Sequence, residues 1–189
     1  MTEEARAMKA LTLTQPWASL VAIGAKRIET RSWAPPRSVM GQRIAIHAAK
    51  GWTEDNRGLA TTEPYKGALR DGYARGLIER PHLLELPRGC VIAIATVAVV
   101  YPTAVLGAAP QELEDLLADP QYPHERAFGG YAPGHYAWAL RDVRAIEPIP
   151  ARGALGLWDW QPPDWLTYVD AAARLAARLA ARATAGEAG

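Results

Sequence analysis

The chain has 189 residues, 49% of them hydrophobic and 22% charged, with a formal net charge of +1. This is the composition of a folded domain of ordinary size with its own core, and it excludes a disordered polyelectrolyte. No run approaches the roughly 20 apolar residues of a bilayer span, residues 1–6 are too polar and acidic for a secretory signal, and the lone Cys90 forbids an internal disulfide, so a cytoplasmic protein without membrane attachment is expected.

Residues 1–7 read as a disordered lead. From Met8 to Thr14 the side chains alternate as in a short strand. A helix follows, capped by Gln15 or Thr14, with Pro16 where a missing N–H costs nothing and Gly24 as its stop. Trp17, Leu20 and Val21 fall at the spacing of one buried stripe. Arg27 to Trp33 reads as the second strand, Ala34 to Arg37 as a loop, and Gln42 to Ala48 as the third strand. Residues 51–86 are polar and rich in Gly and Arg, with a patchy helical pattern, and are expected to form a helical insertion. Cys90 to Val100 is a nearly continuous apolar run, the mark of a strand buried on both faces.

Pro110 opens a short acidic helix with Leu113, Leu116 and Leu117 inward. A loop from Asp119 to Gly134 carries Phe128-Gly129-Gly130-Tyr131, and strands over His135–Ile146 and Gly153–Trp160 complete a sheet. Residues 162–189 read as a C-terminal helix and tail, with Asp164 as cap and a docking stripe through Trp165 and Tyr168. Five or six strands without regular strand–helix alternation argue for an α+β fold, a small mixed barrel with flanking helices, over a doubly wound sheet. A monomer is expected, because Trp165 follows the sheet directly and can dock on it.

Charge is unevenly placed. Gly24 to Lys50 holds six basic residues and one acid, Glu29, whereas Pro110 to Glu125 holds five acids and no base. The basic segment reads either as a patch for an anionic ligand or as a solvated face. The histidines show no metal-ligand spacing, and neither a phosphate loop nor a dinucleotide fingerprint occurs. No cofactor is therefore expected, with a loosely held divalent ion left open.

What remains is Lys26 to Trp33. On a strand, Arg27, Glu29 and Arg31 would share one face. Glu29 either orients Arg31 through a salt bridge or accepts donors from a base edge while Lys26 and Arg31 meet phosphate. Lys26, just past the glycine stop, reads either as an ammonium that swings into a cleft or as an ordinary solvated residue. Trp17, Trp138 and Trp158 read as core. Trp33 is better placed to stack on a base, and Tyr131 reads equally as a stacking residue or a loop anchor.

These residues carry a resemblance. Gln15-Pro16-Trp17-Ala18-Ser19-Leu20, then Gly24-x-Lys26-x-x-Glu29-x-Arg31-Ser32-Trp33, then Ile44 to Lys50, Phe128 to Trp138 and Gly156 to Trp160 resemble the bacterial and phage branch of the ASCH (activating signal cointegrator homology) domain. The likeness spans residues 8–161. It implies a PUA-like barrel with a cleft lined by Lys26, Glu29 and Arg31, and a module that binds RNA or a nucleotide, with DNA as an open alternative. Trp33 and Tyr131 join the expected ligand contacts.

Some family members are hydrolases, which makes an enzyme the alternative, with Lys26 and Glu29 as its catalytic pair. One branch cleaves the acetyl amide of N4-acetylcytidine with a lysine and a threonine. Lys26 matches that lysine, but Glu29 stands in the threonine's place. Others are ribonucleases, for which only His47 and His135 are available here as an acid–base pair.

Overall fold

The computed structural model describes residues 7–74, 85–104, 108–163 and 166. The elements run β1 (Met8–Leu13), α1 (Trp17–Ala22), β2 (Ile28–Arg31), β3 (Arg43–Ala48), α2 (Glu54–Ala60), α3 (Tyr65–Ala74), β4 (Cys90–Pro102), α4 (Gln111–Leu117), β5 (Tyr136–Pro150) and β6 (Leu157–Trp160). The fold is α+β, as its pattern predicts. Six strands form one sheet in the order β2-β5-β4-β3-β1-β6. Among the described residues only β1 and β3 run parallel; every other pair is antiparallel. The predicted C-terminal helix lies almost entirely outside the described residues.

The sheet curls on itself. Irregularities in the β4–β5 ladder let these long strands bend. β2 forms one edge and β1 lies next to the other edge, yet the Arg31 guanidinium at the end of β2 donates to the Thr12 carbonyl of β1 at 2.7 Å. A side chain thus joins the two sides where no backbone ladder does.

β4 explains its own composition. Ile92 and Val97 pack into the main core with Leu11, Leu13, Ile44, Ile46 and Trp138, whereas Val91 and Ile94 pack on the other side with Ala10, Ala45, Ile146 and Trp160. Burial on both faces is what an unbroken apolar strand requires. The Cys90 thiol is buried at its start, and burial pushes its pKa up.

Helix α1 is the hinge of the architecture. Val21 and Ala18 join the sheet core, while Leu20 and Ile23 join a second cluster with Ala60, Tyr65 and Leu69 from the α2–α3 segment and with Phe128. The Gln15 side chain caps the helix by accepting from the Ser19 N–H at 3.1 Å, and it ties the helix to the Pro87 carbonyl at 2.6 Å. Gly24, at φ +73°, ends it in the left-handed region that favours glycine. The Ala25 and Lys26 amides then both fold back onto the Leu20 carbonyl. This tight stop sends the chain into β2 with Lys26 underneath.

Candidate functional site

The segment after Gly24 departs from the pattern predicted for it. Arg27 precedes the strand and points elsewhere than Glu29 and Arg31. Its guanidinium pairs with Asp119 at 2.9 Å, donates to the Leu116 carbonyl at 2.7 Å and lies 4.0 Å over the Tyr122 ring. The backbone here is held by Glu125, which is fully buried. Its two carboxyl oxygens accept the Arg27 and Ile28 N–H groups at 2.7 and 3.0 Å. Burial pushes the Glu125 pKa up, against the opposing pull of Lys26 and these two N–H groups.

The basic and acidic segments of the sequence therefore dock on each other at Arg27, and of the six basic residues Lys26, Arg27 and Arg31 are answered inside the protein while Arg37, Arg43 and Lys50 stay exposed. Neither pattern nor composition marked Glu125. In the sequence it is one more acid in an acidic run.

Lys26 does not reach into an open cleft. Only 1% of it is exposed. Its ammonium donates to the Ile28 carbonyl and stands 3.7 Å from Glu29 Oε2. Glu29 Oε1 faces Arg31 Nε at 3.1 Å. The carboxylate is thus clamped between two cations, one buried and one half-buried, with Arg31 itself fixed to Thr12. The predicted salt bridge between Glu29 and Arg31 is present, and Lys26 takes the place expected of Arg27.

Above this carboxylate lies a pocket of about 330 Å³ lined by Trp17, Glu29, Thr30, Tyr65, Phe128 and the Gly129-Gly130 backbone. The aromatic walls brace one another. Trp17 meets Tyr65 edge-to-face, Tyr65 meets Phe128 at 5.1 Å, and the Tyr65 hydroxyl donates to the Ala127 carbonyl at 2.7 Å. The Gly130 N–H donates to Thr30 Oγ1 at 3.0 Å, which closes the glycine loop over the end of β2. Trp17 was expected in the core but is half-buried, because the helix turns it onto the pocket. Tyr65 and Phe128 escaped the sequence reading; the one hint was that the chain's only phenylalanine sits beside two glycines.

Trp33 and Tyr131 stand apart from the pocket lining. Trp33 packs edge-to-face on the buried Trp138 at 4.8 Å, and its carbonyl accepts from the Trp138 indole at 3.4 Å. Its ring completes the core rather than standing free to stack. The Tyr131 ring folds back over Gly129, where a Cβ would approach it to 2.6 Å. Its hydroxyl is buried with no hydrogen-bond partner. Burial, with Glu125 and Glu29 nearby, pushes the phenol pKa far up. It packs as a loop anchor with Ile28, Leu113 and Ala137.

A second groove, of about 920 Å³, lies at the ends of β1 and β3. It is bounded by Lys50, Arg88 and Arg152, with Thr12 and His47 among its lining residues. Among the described residues no group of three His, Cys, Asp or Glu side chains is placed to hold a metal ion, and no helix is long and apolar enough to cross a membrane.

The family model described as the ASCH domain matches residues 11–150. Among solved structures, the ASCH protein from Zymomonas mobilis is 18% identical, with 76% of this chain and 73% of that chain covered and a TM-score of 0.39. A serine-to-alanine variant of the same protein is 16% identical, with 85% and 92% covered and a TM-score of 0.42. A comparison with curated proteins finds no match.

Proposed function

The chain belongs to the ASCH domain family, and on that premise we propose that it binds single-stranded RNA by taking one base into the pocket above Glu29. The observation that carries this reading is the clamped carboxylate at the end of an aromatic-walled pocket of about 330 Å³. That volume lies at the small end of the range of ligand pockets, roughly 300–1,000 Å³.

A carboxylate held by Lys26 and Arg31 has its position set in advance and keeps lone pairs for amino and imino donors, which a nucleobase edge presents. Trp17, half-buried, offers a ring for stacking, braced from behind by the buried Tyr65 and Phe128. In this reading Lys26 and Arg31 position Glu29, and Glu29 and Trp17 touch the base.

Hydrolysis on the same pocket has less support. The Lys26 ammonium is spent on Ile28 and Glu29, so it is not free as a nucleophile or as a donor to a reacting oxygen. Anisotropy of a labelled single-stranded oligoribonucleotide tests the proposal. Glu29→Gln should weaken binding by about tenfold, the loss of one charge-assisted hydrogen bond. Absence of binding at low salt, or an unchanged affinity for the variant, overturns it.

A further inference from the structure

The groove at the ends of β1 and β3 is absorbed by nothing above. It shares no lining residue with the Glu29 pocket. Three cations border it, Lys50, Arg88 and Arg152, all exposed, and among the described residues no carboxylate lines it. Its floor is built. Thr12 and His47 are register partners on the parallel strands β1 and β3, so their side chains lie side by side.

His47 is 1% exposed, and its Nε2 lies 3.1 Å from the Ala151 carbonyl. A carbonyl only accepts, so Nε2 carries the hydrogen, and in the neutral ring Nδ1 is left as an acceptor. Burial lowers the His47 pKa and so favours that neutral ring. Nδ1 is buried with no partner. Beside it, Thr12 Oγ1 accepts from the Trp158 indole at 3.0 Å, which leaves the hydroxyl hydrogen to give away. Gly153 packs directly against this floor: a Cβ there would run into the His47 ring carbon Cε1 and come within 2.6 Å of Nδ1 and 3.0 Å of Thr12 Oγ1, so only glycine fits beside the ring.

A buried acceptor without a donor is costly, and a ligand hydroxyl would satisfy it. We propose that this groove is a second binding site, for a sugar-phosphate unit, with the phosphate against Lys50, Arg88 and Arg152 and a sugar hydroxyl donating to His47 Nδ1. An unpartnered acceptor beside a free hydroxyl matches a sugar's hydroxyls, and the three cations match a phosphate. The unit is either a ribose-phosphate step of an RNA strand or a free sugar phosphate. The first source rests on the RNA reading above; the site itself does not.

The test uses the full chain labelled with ¹⁵N-histidine, titrated with ribose 5-phosphate and separately with a single-stranded oligoribonucleotide. Ribose 5-phosphate should move the His47 Nδ1 resonance saturably. Lys50→Ala with Arg152→Ala should weaken that titration by at least about tenfold, and Gly153→Ala should abolish it. The double variant alters only exposed side chains, so it stays informative if Gly153→Ala fails to fold.

If the oligoribonucleotide also moves His47, the source is an RNA strand. If only ribose 5-phosphate does, the site stands and takes free sugar phosphates. No shift with either probe, or an unchanged titration in the double variant, overturns the proposal. Glu29→Gln should leave the ribose 5-phosphate titration intact, so failure of the base pocket is seen separately from failure of this groove.

Discussion

The two cavities are built on opposite electrostatic plans. The Glu29 pocket is aromatic-walled, and its charges answer one another: Lys26 and Arg31 neutralise Glu29. The groove over His47 is open and edged by Lys50, Arg88 and Arg152, with no carboxylate among its described lining residues. The cations nearest the family signature are therefore structural, while Lys50, Arg88 and Arg152, all exposed, stand just past β3, just before β4 and just past β5. A charge counted along the chain says little about a field in space, because a buried pair spends its charge internally and an exposed one does not.

The sharpest way to break this contrast is Lys26→Ala. If Lys26 is a structural counter-ion, its loss leaves a nearly buried Glu29 with Arg31 alone. The chain should lose about 3 kcal/mol, the lower end of the range for breaking a buried pair, because Arg31 remains. Urea unfolding measures it. A stability loss under about 1 kcal/mol would return Lys26 to the role of a surface ligand contact.

Glu125→Gln comes next. The amide turns an N–H toward the Arg27 or Ile28 N–H that the carboxyl now accepts, so a loss of about 1–3 kcal/mol is expected. An unchanged midpoint would mean that the acidic segment does not hold the start of β2.

Binding separates the cavities themselves. Trp17→Ala should reduce affinity for a single-stranded oligoribonucleotide by the stacking contribution, about 1–3 kcal/mol, at an unaltered salt dependence. Lys50→Ala with Arg152→Ala should instead flatten the plot of log affinity against log salt by about 1.4, the release of two single-strand counter-ions. If both variants change the slope alike, the cavities are not electrostatically distinct.

The smallest effect is on stability against pH. Burial holds the His47 pKa below its usual 6.5, so the unfolded chain takes up a proton there before the folded one does. Its contribution is complete above the unfolded value and is lost as the pH falls from about 6.5 toward the lower folded value. Thermal unfolding of the wild type and of His47→Asn across that window should differ in slope, the variant being flatter. Parallel curves would mean that His47 ionises alike in both states.

Much of the fold was legible. The strand over Cys90–Val100 declared itself by an unbroken apolar run, and α1 by Pro16, the Trp17–Val21 stripe and Gly24, because these are local preferences of backbone and solvent. The extent of β5 was not legible: it continues to Pro150 through bulges that only its pairing with β4 creates. At the site, the ion pair of Glu29 with Arg31 follows from strand alternation. The replacement of Arg27 by Lys26 does not, since Arg27 sits before the strand and is captured by Asp119 and Leu116, some ninety residues away in the chain.

The sequence by itself determined the family, the α+β class and the short list that contains Glu29, because motif spacing and hydrophobic periodicity are properties of neighbouring residues. Only the tertiary structure decided which charges face outward. It buried Lys26 and Glu125, turned Trp33 into core and Trp17 onto the pocket, and left His47 Nδ1 without a partner beneath three exposed cations. The reason is that burial and long-range pairing depend on which distant segments meet, and a side chain's chemistry changes with the water it loses when they do.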